Sequence, residues 1–186
     1  MKDTQNKLIK LWKQFPPSEA TILDGRIHPE ELNETLLQFF CPGPSFYGIF
    51  DFAQLDFVFV HQDVKKVLGL DSRKASLSAQ YALILPSELS FIQACEEYSG
   101  RFLFQLQPPH LRKAYKVNYA YRTRTTAGEI KLLFHQAITI SMDVNNHIAQ
   151  TFVVNSDVTH LFQDSPRSLS LVGLGDLSSY FNIDVM

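Results

Sequence analysis

The sequence predicts an α+β fold: a five-stranded antiparallel sheet with a helical insert, preceded by two N-terminal helices. Three observations carry that prediction. Two short aromatic and β-branched runs, 46–52 and 55–60, follow the helix-stopping stretch Cys41-Pro42-Gly43-Pro44. Three longer alternating runs, 115–124, 130–141 and 148–158, are separated by turn signals at Ala127-Gly128 and 143–146. Between the two groups, apolar residues recur at helical spacing.

The elements follow in chain order. Leu8, Leu11, Trp12 and Phe15 form an apolar stripe that Asp3 or Thr4 caps and Pro16-Pro17 ends. That stripe has two readings, as a cap on the sheet or as a dimer contact. A loop with an Asp24-Gly25 turn leads to a second helix opening at Pro29, with Glu30 and Glu31 at its positive end. It carries Leu32, Leu36, Leu37 and Phe40 inward. After the first two strands, 62–68 is a helical turn stopped by Gly69, and 72–82 is ambiguous. Pro86 starts the longest helix, through Leu89, Ile92 and Cys95, which Ser99-Gly100-Arg101 ends or kinks. In the third strand Tyr115, Val117, Tyr119 and Tyr121 share a face. Residues 163–180, rich in Ser, Gly and Leu, read as a tail. The chain divides into an N-terminal extension (1–43), a central α+β domain (44–161) and a tail or linker (162–186).

Composition narrows the function classes. The net charge of −2 and the absence of a dense Lys/Arg cluster argue against a nucleic-acid surface on this chain. The N-terminus has no continuous apolar run, and no run reaches membrane-spanning length, so a cytoplasmic protein is expected. Cys41 and Cys95 build no disulfide framework. His28, His61, His110, His135, His147 and His160 have no metal-ligand spacing, so no metal site is expected. Nucleophile and phosphate-loop motifs are absent, and no catalytic residue is assigned. Glu96 and Glu97, adjacent on a helix, read as a solvated face. What remains is an aromatic set. Phe57, Phe59, Cys95, Tyr119, Tyr121, Phe134, Gln136 and Phe152 are the candidate lining of a small-ligand cavity, the other reading being a plain packed core.

Three segments resemble the PAS domain over residues 44–161. The first is Leu55-Asp-Phe-Val-Phe-Val-His-Gln-Asp-Val-Lys-Lys-Val-Leu-Gly-Leu70, similar to the second PAS strand and its short helix. Leu83-Ile-Leu-Pro-Ser-Glu-Leu89 resembles the segment before the long PAS helix. Tyr119-Ala-Tyr-Arg-Thr-Arg through Asp157-Val-Thr-His160 is similar to the last three strands. His61 stands where the family usually has Asn, and Glu88 is its acidic residue after the Pro. The N-terminal helices and the Asp157-Val-Thr-His-Leu-Phe162 end also resemble the sensory halves of LuxR-type transcriptional regulators of Bacteroidetes. That likeness implies a sensor half separated from a C-terminal helix-turn-helix domain, through which alone it would meet DNA. It also implies a homodimer, an unidentified small ligand or partner protein, and no enzymatic activity. An Asn-Cys-Arg flavin signature is missing and residues 86–106 contain no His for haem, so neither cofactor is expected. Two competing readings stay open: a ligand-free dimerisation module, and a small cone-shaped enzyme using Asp51 or Asp56 as base with Tyr119 as oxyanion donor.

Overall fold

The computed structural model describes residues 40–186 and, in the N-terminal segment, residues 6, 7, 9–11, 13 and 14. Leu11 is helical there; Leu8, Trp12 and Phe15, and all of the second expected helix except Phe40, lie outside the described residues.

The strands are β1 (Ser45–Asp51), β2 (Asp56–Val60), β3 (Tyr115–Arg124), β4 (Ile130–Met142), β5 (Ile148–Asp157), β6 (Leu169–Gly173) and β7 (Tyr180–Ile183). They form one antiparallel sheet in the order β2-β1-β5-β4-β3-β6-β7. Five are the expected ones. The other two come from the segment read as a tail, and the reason is physical. Leu169 and Leu171 alternate with Ser170 in period 2, and both leucines are 0 % exposed. Without β6, the edge of β3 along Tyr115–Asn118 would be unpaired.

Three helices lie in the insert: α1 (Val64–Leu68), α2 (Leu77–Tyr81) and α3 (Leu89–Gln105). Gly69 ends α1 in a left-handed conformation (φ 82°), its N–H donating to Lys65 O at 3.0 Å. A Cβ there would sit 2.0 Å from Thr126 Oγ1. Gly69→Ala is therefore expected to lower the urea midpoint, at a cost of about 2 kcal/mol. Ser76 caps α2, its hydroxyl accepting from Ala79 N at 3.2 Å. Ahead of α3, Pro86 opens a 3-10 turn over Pro86–Glu88. The longest helix does not break at Ser99-Gly100-Arg101: it runs on to Gln105, because a lone glycine costs a helix only about 1 kcal/mol and tertiary packing outweighs that.

The β3–β4 and β4–β5 turns fall where the sequence marks them. Gly128 N donates to Thr125 O at 2.9 Å, and Asp143 Oδ1 accepts from Asn145 N and His147 N, each at 2.8 Å. These turns fix the register. Across the sheet Tyr119 faces His135, His135 faces Asn155, and Asn155 faces Phe46. The next inward row is Val117, Ala137, Val153 and Gly48. The helices lie on this inner face, and the main core joins Phe91, Ile92, Cys95 and Leu103 of α3 to Tyr115, Val117, Tyr119 and Tyr121 of β3.

Candidate functional site

Between α2, α3 and the inner sheet face, the packing leaves a cavity of about 150 Å³. Its walls are mostly apolar: Phe50, Phe52 and Phe57 from the β1–β2 hairpin, Leu77 and Tyr81 from α2, and Ile92, Leu103 and Phe104 from α3. Leu11 of the N-terminal segment also lines it. On α3, Gly100 lines it too, and a Cβ built there would meet no described residue within 4 Å. The missing side chain keeps part of this space open.

A polar cluster occupies one side. Tyr119 donates its O–H to Glu96 Oε1 at 2.6 Å. His135 stacks on Tyr119 with ring centroids 4.6 Å apart, and its Nδ1 lies 3.0 Å from Asn155 Oδ1. Tyr121 donates to the same Asn155 oxygen at 3.4 Å. Burial pushes the Tyr81, Tyr119 and Tyr121 hydroxyls above their ordinary pKa, and the nearby Glu96 charge adds to the rise in all three. His135 moves the other way. Burial lowers it to about 4, against a smaller upward pull from Asn155, so the ring is neutral at pH 7.

That depression has a signed consequence. The folded state resists protonation of His135 while the unfolded chain accepts it near 6.5. Stability is full above about pH 6.5 and falls as the pH drops towards 4. The loss from this group is about 2–3 kcal/mol. Urea denaturation of wild type and His135→Gln between pH 7 and pH 4.5 should show a shallower pH slope for the variant. Equal slopes would remove His135 as a source of the acid sensitivity.

Arg112 closes one end. Its Nε donates to Leu103 O at 3.1 Å and its Nη2 to Phe104 O at 2.9 Å, two carbonyls at the C-terminus of α3. Nη1 donates to Asn146 O in the β4–β5 turn, and the guanidinium lies 5.3 Å from the Phe104 ring centroid. The residue is 6 % exposed and fully committed to structure.

Of the residues that the sequence nominated, Phe57, Tyr119 and Tyr121 line the cavity, as does Leu11. Cys95 is buried in the core beside it without lining it, and burial pushes its thiol pKa up. Four others face the opposite side of the sheet. Phe59 and Phe152 pack on Tyr47 at 5.9 and 5.6 Å. Phe134 packs on the separate cluster of Ala120, Leu132 and Val158. Gln136 lies between the inward-facing His135 and Ala137, so alternation turns it outward. The β1–β2 pairing explains Phe59: the register shifts between Ile49 and Phe50, leaving Val58 as an extra residue. Such a bulge reverses the facing of side chains beyond it. Phe57 opposite Phe50 therefore turns in, and Phe59 opposite Ile49 turns out.

The carboxylates proposed for an enzymatic base are not in the cavity. Asp51 accepts from Ala53 N, Gln54 N and Gln150 Nε2 at 2.9, 3.1 and 3.1 Å. Asp56 accepts from Phe57 N and Leu77 N at 2.8 and 2.6 Å. Sequence reasoning missed Glu96, His135 and Asn155. The spacing Ile92, Glu96, Ser99 and Leu103 (i, i+4, i+7, i+11) was the available signal for Glu96, because it places the carboxylate on the buried stripe of α3.

Among the described residues no group of three or more His, Cys, Asp or Glu is arranged to hold a metal, and no helix is long and apolar enough to cross a membrane. No family model and no curated protein matches the sequence. Solved structures to which this chain is similar include a PAS domain from Colwellia psychrerythraea, at 14% identity over 68% of this chain and 97% of that one, with a TM-score of 0.47. The N-terminal domain of a diguanylate cyclase with PAS/PAC sensor from Marinobacter aquaeolei is 9% identical over 62% and 96%, with a TM-score of 0.45. A sensory box histidine kinase/response regulator from Burkholderia thailandensis is 13% identical over 63% and 79%, also at 0.45.

Proposed function

We propose that this chain is a PAS-type sensory module that takes a small molecule into the cavity between α2, α3 and the sheet. The carrying observation is the cavity itself: an apolar space with a few converging polar groups, which is how small-ligand sites are built. Its volume of about 150 Å³ favours a ligand well below flavin or haem in size, since drug-sized ligands need roughly 300 Å³ or more. Asp51 and Asp56 are spent on backbone and amide groups, which supports binding over catalysis.

The finer reading follows from the sequence resemblance. The module serves a cytoplasmic transcription regulator of the LuxR type, acts as a homodimer, and meets DNA only through a helix-turn-helix outside this sequence. The signal leaves through the C-terminal strands. β3 lines the cavity with Val117, Tyr119 and Tyr121, and it pairs directly with β6 at Tyr115–Asn118. A ligand that shifts β3 would act on β6 through shared hydrogen bonds, in proportion to its differential affinity for the two states.

Hydrogen exchange with and without saturating benzene tests this. Amide protection is expected to change in β3 and β6 as well as α3. A change confined to α3, or none at all under saturation, would sink the relay.

A further inference from the structure

We infer that the cavity selects a small, uncharged ring carrying a hydroxyl donor, of the phenol class, which donates to Nε2 of His135; this rests on the ligand-binding reading above.

The tautomer comes first. Asn155 Oδ1 is an acceptor only, so the 3.0 Å contact assigns the proton to His135 Nδ1. The lone pair of the neutral ring is then at Nε2. Stacking on Tyr119 and the bond to Asn155 hold the ring in place. Among the described residues Nε2 has no hydrogen-bond partner. Among the described residues the fully buried side-chain polar atoms without a hydrogen-bond partner are Glu88 Oε2, Asn118 Oδ1, Thr139 Oγ1 and Ser156 Oγ. His135 Nε2 is not one of them, so it opens onto the cavity that His135 lines. A buried, oriented acceptor of this kind rewards a ligand donor and penalises a ligand without one.

Charge narrows the class further. The carboxylate of Glu96 stands in the wall, and its influence reaches Tyr81, Tyr119 and Tyr121. A second negative charge would meet repulsion in a low-dielectric space. Arg112 is the cavity's one arginine or lysine among the described lining residues, and three backbone carbonyls occupy it. Among the described lining residues a carboxylate or phosphate ligand finds no uncommitted arginine or lysine. Size sets the last limit, because about 150 Å³ of apolar space is what takes up a benzene-sized ring.

Phenol, toluene and benzoate are near in shape and differ in these respects, so their titration into the protein, followed by amide NMR, tests the inference. Phenol is expected to bind about tenfold more tightly than toluene, a single well-made hydrogen bond's worth, with benzoate weakest. In His135→Leu, toluene binding should persist and the advantage of phenol should vanish. In the wild-type protein, the imidazole ¹⁵N resonance of His135 Nε2 should move off its free-lone-pair position with phenol and stay put with toluene. This second readout needs no variant that folds. Equal binding of phenol and toluene, tighter benzoate, or an unmoved Nε2 resonance would overturn the inference and leave ligand binding standing. Failure of all three compounds to bind would overturn ligand binding as well.

Discussion

Truncation after Asp164 is expected to unfold the protein instead of releasing a tail. Leu169 and Leu171 are both 0 % exposed and belong to the main core with Tyr115 and Val117. β6 supplies the ladder along Tyr115–Asn118, which would otherwise end in unpaired backbone groups against the core. Large-to-small changes at such sites cost about 2–5 kcal/mol each. Losing both leucines and the ladder is comparable to the whole stability of an ordinary domain, about 5–15 kcal/mol. The point variant Leu171→Ala gives the graded form, an expected loss of about 3 kcal/mol by urea denaturation. A truncated chain with an unchanged midpoint would show that the core closes without β6.

The second large effect is at Glu88. Its side chain is 0 % exposed at the start of α3, and its Oε1 accepts from Arg122 Nε and Nη2 at 2.9 and 2.6 Å. Arg167, ahead of β6, adds a longer contact at 3.4 Å. Oε2 has no partner. A buried carboxylate stripped of its main cation is costly, so Arg122→Met should destabilise by about 3 kcal/mol. Arg122→Met with Glu88→Leu should recover much of that loss, because the charge and its desolvation leave together. Additive losses in the double variant would mean that the pair is not the source. The contact also ties three elements together: the head of α3, the β3 strand and the approach to β6.

How much of this was legible in the sequence follows from the kind of signal each element carries. β3, β4 and β5 were plain because period-2 alternation and two strong turns agree, and their bounds differ from the expected ones by a residue at most. α1 was marked by Gly69 and α3 by Pro86. Side-chain facing was harder. Once Tyr119 faces inward, the pairing Tyr119 to His135 brings in His135 and sends out Phe134 and Gln136. That register is a property of the turn between the strands, and aromatic content does not reveal it. At Phe59 the deciding event is a bulge with no glycine or proline to announce it. For β6 the clue was only Leu169-Ser170-Leu171 inside a Ser- and Gly-rich stretch, too short to outweigh composition. Glu96 was misjudged because a charged residue beside a second one, Glu97, reads as solvent-facing. The helix turns about 100° between them, leaving one on the cavity side and the other paired with Arg101 on the surface.

The central claim is that the space beside Gly100 is a ligand site and not a packing remnant. Gly100→Leu tests it most directly, because the new side chain meets none of the described residues at its Cβ and replaces a poor helix former. Toluene titrations of both proteins, followed by amide shifts, are the measurement. The account predicts saturable binding to the wild type, with shifts centred on Ala137, Val153 and Tyr119, and loss of that binding in a Gly100→Leu protein that is at least as stable. Toluene binding unchanged in the filled variant, or shifts centred elsewhere in the wild type, would contradict it.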